Sequence, residues 1–376
     1  MPSVLEGVTV LDLSTEIAGP YACMLLACMG ARVIKVEPSL RGSPERADPR
    51  FYLWNRGKES VTLDMAQAAG RDALQRLVAK ADILVHNWRP SEVQNLGLAY
   101  EALRSQNPRL IYCPAPPYPA ATSLANAPGD HYTIAAAMGV FGNQGAPDGP
   151  TFVYAPLVAY GTAFALCLAA SAALFAREGT GHGQQVEVSL LHGAMAIQSA
   201  QYVASPRFHA AGSGFRQGIR AGIPVYRLFK AQDGWFFLAC GNNTFFNKLC
   251  ILLERPELAE DERFTSAPWG IPSEHYDALA DILEPLFAAN TVAHWMKLLT
   301  DNDIPCAPVQ DRVQYTQHPQ IPFDQTFVPV EDAFLGPTLQ PGVPVWLHGS
   351  PGSVRGPCPT PGEHTAQVFK EFGIPI

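Results

Sequence analysis

The sequence predicts an α/β protein in which a large domain, built on a doubly wound and mostly parallel sheet, precedes a smaller α/β domain. Two observations carry this prediction. Short runs rich in β-branched residues alternate with helix-like segments as far as Cys113, which is typical of a parallel sheet covered by helices. A second group of strands and helices begins at Tyr226, after a stretch rich in Gly, Arg and Ser.

A βαβ unit opens the chain. Val8–Leu13 has strand character, Tyr21–Gly30 is helical and stops at a glycine, and Arg32–Val36 is a second strand. Two strands joined by one helix over so short a distance pair in parallel through a right-handed crossover. The alternation continues with strand Val61–Leu63, helix Gly70–Lys80, strand Asp82–His86 and strand Leu110–Cys113.

The rest of the large domain is predicted to be mainly helical. Cys113–Pro128 is rich in Pro and Ala and is typical of an irregular loop. Helices are predicted at Tyr132–Val140 and from about Ala159 to Arg177, and Val186–Leu190 resembles a strand that leads into another helix. We place this domain at residues 1–203 and a linker at 204–225.

The smaller domain is placed at residues 226–325. Tyr226–Cys240 is predicted to be a hairpin, because its centre, Gln232-Asp233-Gly234, is a recognised turn sequence. Helices are predicted at Thr244–Leu253, His275–Ala288 and Ala293–Asn302. The last segment, 326–376, contains many Pro and Gly residues before a final helix at His364–Phe372.

Composition argues against several classes of function. Charged residues make up 16% and hydrophobic residues 47% of the 376, which indicates a folded globular protein. The net charge of −8, without any basic run, argues against nucleic acid as a partner. The eight cysteines lack the spacing of metal ligands, so no metal is expected. The turn STEIAGP after the first strand lacks the GxGxxG pattern of dinucleotide-binding enzymes.

No membrane association is expected. Ala155–Ala176 carries no charge and is long enough to span a bilayer. It is dominated by Ala and has no Lys or Arg anchor before it, which favours a helix buried inside a globular domain. The first residues do not resemble a signal peptide, and scattered cysteines suit a reducing compartment, so we expect a cytoplasmic protein.

Seven blocks along the chain together resemble one enzyme family. They are LEGVTVLDLSTEIAGPYACMLLACMGARVIKVEP (Leu5–Pro38), NRGKESVTLDM (Asn55–Met65), ADILVHNWRP (Ala81–Pro90), NPRLIYC (Asn107–Cys113), AQDGWFFLACGN (Ala231–Asn242), IPCAPV (Ile304–Val309) and PTPGEHTAQVFKEFGI (Pro359–Ile374). They resemble the family III CoA-transferases, the superfamily of formyl-CoA transferase, carnitine CoA-transferase and α-methylacyl-CoA racemase. The resemblance implies CoA or acyl-CoA as ligand, a carboxylic acid as second substrate and no metal. It also implies that the last segment returns to the large domain and that two subunits interlock as threaded rings.

The same resemblance identifies a missing residue. In the family, an Asp at the start of a helix attacks the acyl-CoA thioester and forms a mixed anhydride. Counting back from Arg177, which precedes the block TGHGQ, or forward from the turn Gly145–Pro150, places that Asp at Ala159. A methyl group cannot carry an acyl group. Thr151–Arg177 contains no Asp or Glu that could replace the nucleophile.

Three ionisable residues are candidates for other chemistry. Asp130 and His131 follow Gly129 where the related racemases carry Gly-His-Asp, so that Asp130 occupies the position of a proton-transfer histidine. An Asp–His pair at a helix start is also an ordinary capping arrangement. Glu16 is the one carboxylate in the turn after the first strand, either as an acid that acts in catalysis or as a solvated charge.

Eight residues are predicted to contact CoA: Ile17, Ala18, Arg46, Lys58, Leu63, Asn87, Trp88 and Arg89. The uncharged members match family positions that line the thioester pocket or touch CoA. The cations, with Arg41, are candidates for a phosphate-binding edge, because two positions that carry Arg in formyl-CoA enzymes are here Pro38 and Asn95. Each cation alone is more typical of a solvated surface charge.

Three functional hypotheses follow from the missing nucleophile. The first is a subunit that acts as a homodimer or with an Asp-bearing homologue, as in CoA-transferases of the benzylsuccinate type, where one of two homologous subunits carries the Asp. The second is a repurposed acyl-CoA enzyme that performs proton transfer or acyl chemistry with Asp130, His131 or Glu16. The third is an acyl-CoA-binding protein without turnover.

Overall fold

The computed structural model describes residues 3–38, 43–143, 149–202 and 220–375. The chain divides into two compact units. Unit 1 comprises Met1–Val140, Tyr154–Ser199 and Pro319–Ile376, and unit 2 comprises Phe141–Val153 and Ala200–His318. The predicted linker, 204–225, lies outside the described residues except for 220–225.

Unit 1 is built on a five-stranded sheet in which every pair of neighbours is parallel. Its strands are β1 (Thr9–Asp12), β2 (Arg32–Glu37), β3 (Glu59–Thr62), β4 (Ile83–His86) and β5 (Ile111–Pro114). They lie in the order β3-β2-β1-β4-β5, so the chain first runs outward from β1 and then returns to place β4 on its other side. The predicted doubly wound α/β fold is confirmed. Such a sheet binds ligands where its order reverses, at the carboxyl ends of β1 and β4.

Helices cover both faces of this sheet, as a buried parallel sheet requires. Alternate strand residues pack on opposite faces. Leu11 and Ile34 join a core with the helices Ala68–Val78 and Thr365–Phe372, whereas Val10 and Val33 join one with the helices Ala18–Cys28 and Leu157–Thr180. In chain order the helices are α1 (Ala18–Cys28), α2 (Arg50–Trp54), α3 (Ala68–Val78), α4 (Pro90–Asn95), α5 (Tyr100–Gln106), α6 (His131–Ala137), α7 (Val140–Asn143), α8 (Leu157–Thr180), α9 (Leu190–Ile197), α10 (Asn243–Leu252), α11 (Glu257–Glu260), α12 (Tyr276–Ala288), α13 (Val292–Thr300), α14 (Arg312–Thr316), α15 (Ile321–Asp324) and α16 (Thr365–Phe372), with 3-10 turns at Pro44–Ala47, Ser199–Tyr202 and Ser273–His275.

The long helix α8 packs on the sheet and, very closely, on α9. A Cβ atom on Gly193 would lie 1.9 Å from Thr162 Oγ1, and one on Gly161 would lie 2.6 Å from Ile197 Cγ2, so both positions require glycine. Of the described helices, α8 alone is long and apolar enough to cross a membrane by length and composition, a test that core helices also pass. One side of α8 packs in the core with the sheet, and Phe164, Leu168 and Phe175 are exposed.

Unit 2 contains a small antiparallel sheet of β6 (Tyr226–Lys230), β7 (Trp235–Ala239) and β8 (Cys306–Pro308), in that order. The hairpin predicted at Tyr226–Cys240 is confirmed, and Ala231 N donates to Gly234 O across its turn at 2.8 Å. Helices α10, α12 and α13 occupy the predicted helical segments and share one hydrophobic core with this sheet. β8 is absent from the predicted elements because it lies in the Pro-containing block IPCAPV.

Two further segments differ from the sequence prediction. Val186–Leu190 does not form a regular strand: it runs extended beside β5, where Val186 N donates to Tyr112 O at 2.9 Å, and α9 begins at Leu190. The Pro-rich C-terminal segment forms an unpredicted antiparallel hairpin, β9 (Phe327–Asp332) and β10 (Gly336–Pro341).

Candidate active site

A cavity of about 280 Å³ opens at the carboxyl ends of β1 and β4, where the order of the sheet reverses. Turns after both strands form two of its walls, and the loop before α6 and the first turns of α8 and α9 complete it. Its volume lies near the lower end of the range of small-molecule pockets, about 300–1,000 Å³. It brings together eight of the predicted site residues: Glu16, Ile17, Ala18, Asn87, Trp88, Arg89, His131 and Ala159.

A buried charged cluster anchors the turn after β1. Asp12, the last residue of β1, lies 2.7 Å from Lys58 Nζ and 3.5 Å from Lys35 Nζ, and all three side chains are buried. Ser14 N donates to Asp12 Oδ1 at 3.0 Å. Burial raises the pKa of Asp12, but the two ammonium groups outweigh that effect and hold the pKa at about 2. The turn that carries Glu16–Ala18 is therefore anchored by a fixed, ionised carboxylate, that of Asp12.

Glu16 is held in an unusual conformation beside other acids. Its φ of 64° lies in the left-handed region, which is unfavourable for a residue with a side chain. Its backbone N–H donates to Glu45 Oε1, and this bond helps to keep the turn in place. Burial raises the pKa of the Glu16 carboxyl, and the nearby carboxylates of Asp130 and Glu45 raise it further.

Asn87 ties the turn after β4 to the turn after β1. Its Oδ1 accepts the N–H of Thr15 at 3.0 Å, and its Nδ2 donates to Thr15 Oγ1 at 3.1 Å and to Thr15 O at 3.3 Å. An amide side chain suits this place because it offers a donor and an acceptor together. These two walls of the cavity are therefore one hydrogen-bonded assembly.

His86 supports Trp88 from behind as a neutral imidazole. Its Nδ1 accepts the backbone N–H of Trp88 at 3.2 Å, so its proton is on Nε2, which donates to the Tyr112 hydroxyl at 2.7 Å. That hydroxyl in turn donates to Leu98 O at 3.0 Å. Burial lowers the pKa of His86 to about 3. The His86 and Trp88 rings stack with centroids 5.4 Å apart, which fixes Trp88 at the cavity wall.

Arg89 is the one lysine or arginine among the described residues that line the cavity, and Glu92 engages it. Arg89 Nη2 donates to Glu92 Oε1 at 2.9 Å, and Arg89 Nε donates to Glu92 Oε2 at 3.2 Å. The hydrogen bonds from Arg89 lower the pKa of Glu92. The pair therefore adds little net charge to the cavity.

Asp130 caps α6 and lies outside the residues that line the cavity. Its Oδ1 accepts the backbone N–H of Thr133 at 2.7 Å and the Thr133 hydroxyl at 2.7 Å. Burial raises the pKa of Asp130, but these bonds outweigh it, so the pKa is lowered overall. The structure therefore shows the capping arrangement that the sequence offers as one of two alternatives.

His131, the first residue of α6, does line the cavity. Its Nδ1 atom is buried and has no hydrogen-bond partner among the described residues. Burial lowers the pKa of His131, so its imidazole is neutral at pH 7. Such an atom is uncommon, because buried polar atoms are nearly always hydrogen-bonded.

Ala159 is buried in the first turn of α8, on the cavity wall. The first amides of an α-helix have no acceptor within the helix, and the helix dipole adds positive potential there. Helices α1, α6 and α9 also begin at this cavity, with Ala18, His131 and Leu190. The first amides of α9 are already used, because Leu190 N donates to Pro116 O at 3.0 Å and Leu191 N donates to Pro117 O at 3.2 Å. The amino end of α8 therefore supplies the positive potential beside Ala159, which favours an anion or a carbonyl oxygen there.

Three predicted CoA contacts lie elsewhere. Lys58 is fully buried in the cluster below the first turn, and Leu63 packs in the core with α3. Arg46 donates to Glu37 Oε2 at 2.8 Å and to Glu37 Oε1 at 2.6 Å. In this structure each cation pairs with a carboxylate, Lys58 with Asp12 and Arg46 with Glu37. Arg41 lies outside the described residues.

Thr15 and Glu92 line the cavity without having been predicted. Thr15 precedes Glu16 in the same turn, and Glu92 follows Arg89 by three residues, the spacing of a helical ion pair. The sequence alone shows both the position of Thr15 next to Glu16 and the three-residue spacing of Arg89 and Glu92, so both residues could have been predicted. No group of three or more His, Cys, Asp or Glu side chains able to hold a metal ion occurs within the described ranges.

The chain matches CoA-transferase family III over residues 5–365. Acetyl-CoA:oxalate CoA-transferase of Acetobacter aceti is 33% identical over 98% of this chain and 96% of that protein. The beta subunit of succinyl-CoA–L-malate CoA-transferase of Chloroflexus aurantiacus is 27% identical over 98% of this chain and 94% of its own length. Among solved structures, an aspartate-to-alanine mutant of Rv3272 from Mycobacterium tuberculosis superposes with a TM-score of 0.84 and 29% identity, covering 97% of this chain and 98% of that one.

Proposed function

Since the chain belongs to CoA-transferase family III, we propose that it binds CoA or acyl-CoA as the subunit without a nucleophile in a two-subunit acyl-CoA:carboxylate CoA-transferase. The homologous subunit would carry the Asp that accepts the acyl group. The observation that carries the proposal is Ala159, a buried methyl group on the cavity wall at the start of α8. The protein superposes on a solved relative with a TM-score of 0.84, whereas the Ala159 side chain lacks a reactive atom.

The cavity supports binding of the acyl end of such a ligand. Its volume of about 280 Å³ suits a short acyl group with its thioester and is too small for a whole CoA molecule. The amino end of α8, at Ala159, offers positive potential to a thioester carbonyl oxygen. Trp88 and Ile17 form an apolar part of the cavity wall, against which an acyl chain can pack.

A partner subunit is supported by the outer side of α8. Phe164, Leu168 and Phe175 are 48%, 72% and 84% exposed there, although all three are large apolar side chains. Contiguous apolar surface of this kind is typical of protein interfaces. We propose that a second family III subunit, another copy or an Asp-bearing homologue, covers this surface in an interlocked pair in the cytoplasm. The similar Chloroflexus protein is itself named as a beta subunit.

The test measures transfer of CoA from acetyl-CoA to a carboxylate by the chain alone and by the chain co-purified with an Asp-bearing homologue. We expect transfer only with the partner. Ala159→Asp should give the single chain some transferase activity, and Ala159→Asn, a matched control of similar size without a nucleophilic oxyanion, should not. Robust transfer by the unmodified chain alone would contradict the proposal.

The unpartnered Nδ1 atom of His131 favours a second candidate function, proton transfer or acyl chemistry by the chain itself. Glu16, whose pKa is raised, is the second ionisable group that could take part. In that case His131→Gln should abolish the turnover of acyl-CoA by the lone chain. Ala159→Asp should also lower it, because a charge then enters the pocket. The two proposals therefore predict opposite effects of the same substitution.

A further inference from the structure

We infer that the cavity accepts acyl groups without a free carboxylate and rejects acyl-CoA esters whose acyl group ends in one. This inference rests on the proposed function, because it names the substrate class of the same cavity. It separates the chain from the relatives named above, one of which acts on oxalate and another on succinyl-CoA and malate.

Two carboxylates line the cavity, and only one of them is neutralised. Glu92 receives two hydrogen bonds from Arg89, at 2.9 and 3.2 Å, and so uses the one lysine or arginine of the described wall. Glu16, on the same wall, forms no ion pair with any described residue. The cavity therefore contains one carboxyl group without a compensating cation.

Two more carboxylates stand behind Glu16. Glu45 Oε1 accepts the backbone N–H of Glu16, and Asp130 caps the helix that begins with His131 on the cavity wall. Both raise the pKa of the Glu16 carboxyl, in addition to the effect of burial. An anion placed beside Glu16 would be repelled by three carboxyl groups.

Beside Ala159, positive potential comes from the amino end of α8. A thioester has one carbonyl oxygen, and that oxygen can use those amides. A free carboxylate at the end of the acyl chain either competes with the thioester oxygen for the same amides or lies beside Glu16. The cavity lining offers it no lysine or arginine apart from Arg89, which Glu92 engages, whereas a methyl group at the same point has no charge to satisfy.

The test compares butyryl-CoA with succinyl-CoA, which have four-carbon acyl groups that end in a methyl group and in a carboxylate. Calorimetry with the purified chain, alone and with its partner subunit, should give at least about tenfold tighter binding of butyryl-CoA, since like-charge juxtaposition costs several kcal/mol. Glu16→Gln should bring the two affinities within about threefold, mainly through tighter binding of succinyl-CoA. Glu101→Gln removes an exposed carboxylate on α5 and should leave the wild-type ratio unchanged.

Three results bear on the inference in different ways. Equal affinities, or tighter binding of succinyl-CoA, would overturn it while leaving CoA binding intact. A preference for butyryl-CoA that survives in Glu16→Gln would also overturn it, because the selectivity would then come from shape. If free CoA and both esters fail to bind, with or without the partner, the proposed function falls and the inference falls with it.

Discussion

Asp12 and Lys58 form an ion pair of 2.7 Å in which neither side chain reaches solvent. The pair lies beneath the turn that carries Glu16 into the cavity, and Lys58 also donates to Pro20 O, in α1, at 2.9 Å. Burial lowers the pKa of Lys58, and the attraction of Asp12 opposes that shift. A buried pair adds little net stability, but loss of one partner leaves an uncompensated charge.

Lys58→Met should therefore destabilise unit 1 by roughly 3–5 kcal/mol, because Lys35, at 3.5 Å, would be the one cation left beside the buried Asp12 carboxylate. Chemical denaturation at pH 7 measures the change. Arg104→Met is the control: its pair with Glu101, at 3.7 Å, is exposed and should contribute less than about 1 kcal/mol. Similar losses in both variants would show that the buried pair is not what anchors the turn.

Acid should destabilise the protein through His86. Burial lowers its pKa from 6.5 to about 3, so below pH 6.5 the unfolded chain binds a proton that the folded protein excludes. The stability contributed by this group is complete above pH 6.5 and falls as the pH approaches 3. Each pH unit in that window removes about 1.4 kcal/mol, or about 2 kcal/mol between pH 7 and pH 5.

Urea denaturation at pH 7 and pH 5 measures this loss. His86→Asn keeps an acceptor for Trp88 N but has no imidazole, so its loss between the two pH values should be clearly smaller than in wild type. The pKa of His131 is also lowered, and that contribution remains in both proteins. Asp12 contributes only below its ordinary pKa of 3.8. An unchanged pH dependence in His86→Asn would refute the assignment to His86.

The parallel sheet could be predicted because strands buried on both faces appear as short, β-branched apolar runs, such as VTVLDL at Val8–Leu13. The hairpin of β9 and β10 could not be predicted in this way. Its strands contain Pro329, Pro337 and Pro341, which remove backbone donors and mask the alternation of strand residues. Tertiary contacts determine the conformation of such a segment. An example is the hydrogen bond that buried Arg56 donates to Gln340 Oε1 at 3.2 Å.

The position of the site could also be predicted, since parallel strands bring the turns that follow them to one edge. The roles of cations could not. Lys58 meets Asp12, which is 46 residues away in the chain, and Arg46 meets Glu37 across a turn. Spacing along the sequence does not show which carboxylate a lysine or arginine reaches in the folded protein.

The contact between α8 and α9 should be very sensitive to size at Gly193. A Cβ atom there would lie 1.9 Å from Thr162 Oγ1 and 2.7 Å from Thr162 N, so Gly193→Ala should destabilise by roughly 1–3 kcal/mol or more. Gly179→Ala is the matched control in α8, because nothing lies within 4 Å of its new Cβ atom. It should be neutral or stabilising by about 0.5–1 kcal/mol. Thermal denaturation distinguishes the two, and equal effects would contradict the close approach.

Two substitutions at Asp130 distinguish a helix-capping role of its carboxylate from a catalytic role. Asp130→Ala removes the acceptor for Thr133 N and should cost about 1 kcal/mol of stability, whereas Asp130→Asn keeps an oxygen at the same place and should cost much less. Transfer from acetyl-CoA by the complex with the Asp-bearing partner should persist in Asp130→Asn within about twofold, since a cap is a structural role. If the Asn variant is as stable as wild type but inactive, the carboxylate acts in the reaction as well as at the helix end.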